Sequence, residues 1–297
     1  MKYAIGIDIG GTKVAGGLVD EMGNVTHITR LLSKSSDREE MFAIVCRVIE
    51  QVLVDSKLPA NEVAVGLGVP GLVDRTAGIA VFQNNLAWEN FPVVARLREA
   101  FPAIGNITID NDVYQATRAE WHYAGLQDKE ILVYVTISTG MSCAIMTQGD
   151  FIRGNGFAGE LGLIPLKEKE GQTLTVEQSA AGPALAERGK EAYNDGTVTA
   201  EEIFRRYRLG EPLAKELVES WSQDVSRAIY MVVSLLDPQK IVFGGSVMTL
   251  NPDLLPLIKT KLGEWIVTAQ AHSISTLSIS PYPNTGGIIG AGLQALN

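Results

Sequence analysis

The pattern that most limits the fold of this chain is a strand, a turn of small residues and a second strand, which occurs twice. In the first copy, strands 3–8 and 14–20 flank a glycine-rich turn, and in the second copy strands 131–137 and 141–148 flank residues 138–140. A tight turn and a further extended segment follow each copy. This order is typical of antiparallel strand pairs. The sequence therefore predicts an internal duplication.

Helices and further strands alternate after each of these segments, which adds parallel strands to the same sheet. The longest predicted helix covers residues 211–236, where apolar residues recur at intervals of three or four, and Asp237 and Pro238 end it. A helix rich in glycine and alanine closes the chain. We expect a small N-terminal α/β domain over 1–112, with the helix at about 286–297 packed back on it, and a larger α/β domain over 113–285.

Composition limits the possible partners. The chain has 297 residues and a formal net charge of −9. Nucleic acids and anionic membranes attract basic surfaces, so neither is expected as a partner. The N-terminal segment is broken by Asp8 and two glycines and does not resemble a signal peptide, and no apolar run is long enough to span a membrane. We expect a cytoplasmic protein that acts on small molecules.

The turn DIGGTK at residues 8–13 is the first candidate for binding chemistry. Glycines at 10 and 11 let the backbone approach a polyphosphate closely, while Thr12 and the turn amides donate to its oxygens. Asp8, at the strand end, is placed to hold a Mg²⁺-bound water beside the phosphates. An ordinary hairpin turn is the alternative interpretation.

Two further segments favour nucleotide binding. Ser138, Thr139 and Gly140 form the equivalent turn of the second copy, and two such hairpins facing each other clamp ATP in an actin-like fold. The turn FGGSVM at 243–248 carries Gly244 and Gly245, which are able to lie flat against an adenine or a ribose. A simple turn between a strand and a helix is again the alternative.

The segment IDNDVYQATRAEW marks the end of a strand and the start of a helix, with residues 110–112 over its first turn. A carboxylate at a helix N-terminus is stabilised as an anion, so Asp112 is suited to act as a general base. Capping of the helix by these acidic residues is an equally good interpretation.

Taken together, the motifs resemble the ROK family of bacterial sugar kinases, in the family's order along the chain. The matching segments are DIGGTK (8–13), GLGVPGLVD (66–74), NLAW (85–88), IDNDVYQATRAE (109–120), STG (138–140), GFAGELG (156–162), VEQSAAGPAL (176–185) and DPQKIVFGGSV (237–247). The resemblance implies an actin-like ATPase (ribonuclease H-like) fold, with duplicated βββαβα units in two domains around a cleft that closes during phosphate transfer. It also implies a homodimer.

The resemblance also implies a role for individual residues. Asp112 would be the general base for the attacking hydroxyl, and Asp8 would act on Mg²⁺ indirectly. The residues implied to bind the sugar are Gly68, Asn85, Asn111, Asp112, Glu160 and Glu177. The residues implied to contact ATP are Asp8, Gly10, Gly11, Thr12, Lys13, Ser138, Thr139, Gly140, Gly244 and Gly245.

The chain departs from the family pattern at Ser138, Ser142 and Ser246, which replace glycines often found in the nucleotide-binding turns, and in the segment after Glu160. Most members continue from GELG into a histidine and then a cysteine-rich zinc motif, whereas this chain has Leu163 and no cysteine over residues 164–178. No zinc is therefore expected. Because the histidine contacts the sugar near its anomeric carbon, Leu163 favours a substituent at O1 or a hexose other than free glucose. β-Glucoside kinases and some N-acetylmannosamine kinases lack the zinc motif as well.

The expected function is transfer of the γ-phosphate of ATP to a hexose or hexoside hydroxyl, at the 6-position. The main alternative is a non-catalytic, sugar-sensing regulator, because the family includes repressors. Those carry a helix-turn-helix domain ahead of the kinase-like core, and the first phosphate strand here begins at Tyr3. A polymerising actin-like protein is a further alternative, but it would have no use for the sugar-site residues.

Overall fold

A computed structural model describes residues 2–83, 86–127 and 129–297. The chain divides into two compact units. The first unit runs to Gly125 and includes Asn284–Asn297, and the second unit is Leu126–Pro283. The expected boundary at residue 112 coincides with the start of a helix, and this helix stays with the first unit because it packs against the C-terminal helix.

The first unit is built on a mixed sheet. Its elements in chain order are β1 (Tyr3–Ile9), β2 (Lys13–Asp20), β3 (Val25–Leu32), α1 (Arg38–Ser56), β4 (Val63–Val69), β5 (Leu72–Asp74), β6 (Ile79–Phe82), β7 (Glu89–Phe91), α2 (Val93–Ala100), β8 (Ile107–Asn111) and α3 (Asp112–Ala124). Among the described residues, the main sheet has the order β3-β2-β1-β4-β8, and β5, β6 and β7 form a small separate sheet. Strands β1, β2 and β3 pair antiparallel with one another, whereas β4 pairs parallel with β1 and β8 pairs parallel with β4.

The second unit repeats this order. Its elements are β9 (Ile131–Ile137), β10 (Met141–Thr147), β11 (Asp150–Phe151), β12 (Pro165–Lys169), β13 (Gln172–Thr175), α4 (Val176–Ala180), α5 (Gly182–Tyr193), α6 (Ala200–Arg208), α7 (Pro212–Leu236), β14 (Lys240–Gly244), α8 (Gly245–Leu250), α9 (Leu255–Gly263), α10 (His272–Thr276) and β15 (Leu277–Ile279). Within the described residues its main sheet is β11-β10-β9-β14-β15, again antiparallel and then parallel. The predicted duplication is confirmed.

The C-terminal helix, Gly286–Leu296, covers one face of the first sheet, and α1 covers the other. Successive residues of a strand point to opposite faces. On β1, Ile7 lies on the face of α1, whereas Gly6 pairs with Gly66 of β4 under the C-terminal helix. A Cβ atom at either glycine would lie 1.8 Å from a carbonyl oxygen of that helix. The two glycines therefore let the helix backbone lie directly on the sheet.

Helix α7 is the central helix of the second unit. Its buried residues recur at three- and four-residue intervals, and Trp221 donates from its indole nitrogen to the carbonyl of Ala180, 2.9 Å away. The helix ends at Asp237, which has a φ of 42° and is followed by a proline, as predicted. No helix in the described part of the chain has the length and apolar character needed to cross a membrane.

Candidate active site

The predicted phosphate turn joins β1 to β2. The backbone N–H of Gly10 donates to the carbonyl of Lys13 at 2.9 Å, and the Ser33 hydroxyl donates to the carbonyl of Gly10 at 2.6 Å. Ser33 also donates its backbone N–H to the carbonyl of Thr12. Thr12 and Lys13 are exposed, and the two glycines are half-buried. Residue 33 therefore holds the turn from outside the motif, and no local pattern in the sequence indicates this.

Asp8 lies at the end of β1, with its carboxyl group against the start of the C-terminal helix. Burial raises the pKa of Asp8, and the positive charge of Lys13 partly offsets this effect. A partly desolvated carboxylate beside an exposed turn fits the role expected toward Mg²⁺. Among the described residues no group of three or more His, Cys, Asp or Glu side chains is placed to hold a metal ion. A Mg²⁺ ion here would take its other ligands from phosphate and water.

The junction of β8 and α3 carries the candidate base. The side-chain oxygen of Asn111 accepts from the backbone N–H groups of Val113, at 2.9 Å, and of Tyr114, at 3.4 Å. Asn111 is therefore the N-cap of α3, and the carboxylate of Asp112 also accepts from the N–H of Val113, at 3.0 Å. Asp112 is the first helical residue and is half-buried. Its carboxylate lies at the positive end of the helix dipole.

Two neighbouring contacts fix this junction. The amide nitrogen of Asn111 donates to the carbonyl of Gly71 at 2.9 Å, so Asn111 connects α3 to the start of β5. Gly68 of β4 lies beneath the first turn of α3, where a Cβ atom would be 3.2 Å from Cγ of Gln115 and 3.6 Å from Cα of Asp112. Gly68 thus leaves room for Asp112, and its predicted contact with sugar stays a prediction. Asn85 lies outside the described residues.

Removing the cap should destabilise the first unit. The variant Asn111→Ala is expected to lower the free energy of unfolding by about 0.5–2 kcal/mol, the usual effect of losing an N-cap. Asn111→Ser is the matched control, because a serine hydroxyl still caps the helix but does not replace the bond to Gly71. Urea denaturation measures both variants. Equal losses in the two variants would show that the bond to Gly71, and not the cap, provides the stability.

The second small-residue turn joins β9 to β10. Ser138 donates its backbone N–H to the carbonyl of Gly140 at 2.9 Å. The carboxylate of Glu177, on α4, accepts from the backbone N–H of Met141 at 3.0 Å, and a Cβ atom at residue 140 would lie 2.5 Å from that carboxylate. The structure therefore brings Glu177, predicted for the sugar, directly against Gly140, predicted for ATP.

Glu160 faces the same carboxylate. Burial raises the pKa of Glu160, and the negative charge of Glu177 raises it further. Burial and the charge of Glu160 also raise the pKa of Cys143 to about 12, so this thiol stays protonated near neutral pH. Leu163 follows Glu160 in a single helical turn, and its side chain is 62% exposed. The two acidic groups offer acceptors for hydroxyl donors, with an exposed apolar side chain beside them.

The predicted adenosine turn lies at the end of β14. Gly245 has a φ of 78°, and a Cβ atom there would lie 2.3 Å from the carbonyl oxygen of Ile137, so only glycine fits. Gly182, at the start of α5, donates its N–H to the carbonyl of Ser138 and lies close to Val247. The structure therefore brings the 138–140 and 244–245 turns together with Gly182, which was not among the predicted site residues.

A cavity of about 660 Å³ opens beside these groups in the second unit. Thr139 and Glu177 form one part of its wall, and the β12–β13 hairpin and α5 form the rest. Its charged lining residues have both signs: Lys167, Lys169, Glu170, Glu177, Glu187, Arg188 and Glu191. The charged groups of the lining therefore give no strong preference for an anion or a cation.

The comparisons with known proteins agree with this arrangement. Residues 4–297 match the profile of the ROK family. The chain belongs to the ROK family. It is 26% identical to the glucokinase of Streptomyces coelicolor over 98% of this chain and 96% of that protein. It is 28% identical to the crystal structure of the ROK hexokinase of Thermus thermophilus, with a TM-score of 0.80 over 99% of this chain and 98% of that one.

ROK proteins of a different kind also match. The N-acetylglucosamine repressor of Escherichia coli is 29% identical over 67% of this chain, and the match covers 52% of the repressor. The actin-like ATPase fold of ROK kinases, expected from the motifs, is confirmed by the sheet order and by the structural match.

Proposed function

We propose that this ROK protein is an ATP-dependent sugar kinase that transfers the γ-phosphate to a hexose or hexoside, at its 6-hydroxyl group. The observation that carries the proposal is Asp112 at the first position of α3, where Asn111 already caps the helix. Asn111 and Asp112 share the N–H of Val113, so the cap does not depend on Asp112 alone. The family match over residues 4–297 and the full-length similarity to a glucokinase support the same activity.

In this proposal Asp112 accepts the proton of the attacking hydroxyl as the oxygen approaches phosphorus. The partial positive charge at the helix N-terminus favours the anionic form of the Asp112 carboxylate, which a base requires. Gly68 leaves space under the first turn, and the bond from Asn111 to Gly71 limits the movement of the junction. Asn111 therefore has at most one amide hydrogen left for a sugar hydroxyl.

Each unit has one small-residue turn that is proposed to bind phosphate. In the first unit the backbone of residues 10–12 and the ammonium group of Lys13 face the phosphate oxygens, with Asp8 close by. In the second unit Thr139 and Gly140 do the same, while Gly244 and Gly245 lie against the nucleoside. Mg²⁺, when bound, neutralises charge that develops on the transferred phosphoryl group. Glu160 and Glu177 accept hydrogen bonds from sugar hydroxyls.

Leu163 bears on the choice of sugar. Its exposed side chain follows Glu160, whose backbone carbonyl accepts the N–H of Leu163 at 3.1 Å. An apolar side chain at this place offers no hydrogen bond to a free anomeric hydroxyl. A site without that polar partner loses its preference for the free hydroxyl over a substituted one. We therefore propose a substrate with a substituent at O1, or a hexose other than free glucose.

A non-catalytic sugar sensor is the second candidate, because the similarity to a repressor covers two thirds of the chain. Such a protein would need the sugar site but would not need the phosphate turns or a base. This chain keeps Asp112 and both turns, which supports the kinase.

The expectation of a homodimer also stays a prediction.

An ADP-release assay with Mg-ATP and a panel of sugars tests the proposal. The panel contains glucose, mannose, fructose, allose, N-acetylglucosamine, N-acetylmannosamine, cellobiose and an aryl β-glucoside. We expect sugar-dependent ADP release with one or a few of them, and mass spectrometry of the product identifies the phosphorylated position. If no sugar releases ADP but one raises the melting temperature, the sensor replaces the kinase.

A further inference from the structure

The start of the C-terminal helix makes an unusual contact with Asp8. A Cβ atom at Gly287 would lie 2.8 Å from Cγ of Asp8 and 3.0 Å from each of its carboxylate oxygens. Those three atoms are its nearest neighbours. The carboxyl group of Asp8 therefore occupies the space that any other side chain at residue 287 would need.

Other close glycines of this packing face backbone atoms instead. A Cβ atom at Gly290 would lie 1.7 Å from the carbonyl oxygen of Gln115, and one at Gly66 would lie 1.8 Å from that of Ala291. Those glycines are required for the helix to lie on the sheet and on α3. At Gly287 the clash is with the end of a side chain, so the helix could keep its place if the carboxylate moved.

Glycine at residue 287 is also expected to lower the stability of the helix. In a helix, glycine is less favourable than alanine by about 1 kcal/mol, because it loses more backbone entropy. Gly287 is the second residue of the helix, and the three atoms nearest to its Cβ position belong to a side chain and not to backbone. The contact that explains it is with Asp8.

We infer that Gly287 is a positioning residue, which fixes the Asp8 carboxylate at the phosphate end of β1 for its action on the Mg²⁺-nucleotide. The inference rests on the proposed function. The first turn of a helix carries partial positive charge, which attracts a carboxylate and opposes the effect of burial on the pKa of Asp8. Gly287 does not touch the nucleotide in this account and acts only through Asp8.

The variant Gly287→Ala tests the inference. We expect the added methyl group to move the carboxylate and to lower kcat by at least ~10-fold, because misplacement by about 1 Å at a reacting centre can cost ~10²-fold. The Mg²⁺ concentration that gives half-maximal rate should rise, and the sugar KM should stay within about twofold, since only Asp8 moves. The melting temperature should not fall, because alanine favours the helix.

Gly105→Ala is the matched control. No atom lies within 4 Å of the Cβ position at residue 105, so every parameter should stay at its original value. Gly287→Ala and Gly105→Ala are then each combined with Asp8→Ala, so that no carboxylate remains to be displaced. There, Gly287→Ala should have no further effect on activity or on Mg²⁺-dependent ATP binding by calorimetry.

A loss in Gly287→Ala that persists in the Asp8→Ala background would overturn the inference, as would unchanged kcat and Mg²⁺ dependence. Failure of the proposed function gives a different result. In that case the unsubstituted protein would release no ADP with any sugar. Calorimetry would then still measure Mg²⁺-dependent ATP binding. The inference requires this binding to be weaker in Gly287→Ala.

Discussion

Replacing Asp112 by alanine should lower the turnover number for sugar phosphorylation by at least ~10²-fold, the lower range for loss of a general base. The reason is that Asp112 begins α3 and Asn111 is its N-cap, so the base is lost while the cap bonds of Asn111 are kept. ATP binding should persist, because the turns of residues 10–12 and 138–140 are unchanged. Steady-state kinetics and calorimetry with Mg-ATP measure the two effects.

Asp55→Ala provides the control for that experiment. Asp55 is an exposed carboxylate near the end of α1, and its contact is a hydrogen bond from Gln51. Its removal should leave turnover and nucleotide binding unchanged. Near-normal turnover in Asp112→Ala would assign the base to another group. Loss of nucleotide binding in that variant would instead point to a wider disturbance of the first unit.

Replacing Asp224 by alanine should cost the second unit about 3–5 kcal/mol of stability, the usual effect of breaking a buried ion pair by removing one partner. Asp224, on α7, is buried and contacts three cations. The contacts are with Lys167 of β12, with Arg188 of α5 at 2.5 Å and with Arg227 at 3.3 Å. Without the carboxylate, the three positive groups lose the counter-charge that they share.

Asp253→Ala is the comparison for this second variant. Asp253 forms a two-point contact with Arg208, at 2.9 and 2.8 Å, but both side chains are more than two-fifths exposed. Water screens such a pair, so its loss should cost only about 0.2–1 kcal/mol. Urea denaturation followed by tryptophan fluorescence measures both. Similar losses in the two variants would mean that Asp224 is not effectively buried.

The Asp224 cluster lies beside the segment that lacks the cysteines of the family's zinc motif. It joins the β12–β13 hairpin to α5 and α7 through Lys167 and Arg188. This hairpin lies in the segment where most family members carry the zinc motif. In this chain an ion cluster therefore attaches the hairpin to α5 and α7. The expectation that no zinc is bound stays a prediction.

The strands, the longest helix and the duplication could be predicted from the sequence, because periodicity and turn residues are local signals. The end of α7 at Asp237 and Pro238 is one example. The junction at residues 110–112 was also located correctly. Sequence alone did not decide which of its residues caps α3.

The remaining features depend on contacts between distant residues. Ser33 holds the turn at Gly10, and Glu177 lies against Gly140, yet no spacing in the sequence connects either pair. Such details are set by packing, which local patterns do not encode.

The return of Asn284–Asn297 to the first unit has a consequence for synthesis on the ribosome. The second unit is one continuous segment and is able to fold as soon as it has emerged. The first unit begins at the N-terminus, but the sheet face around Gly6 and Gly66 stays uncovered until the last helix is released. The part of the protein that is translated first is therefore completed last, and until then its apolar face is open to chaperones.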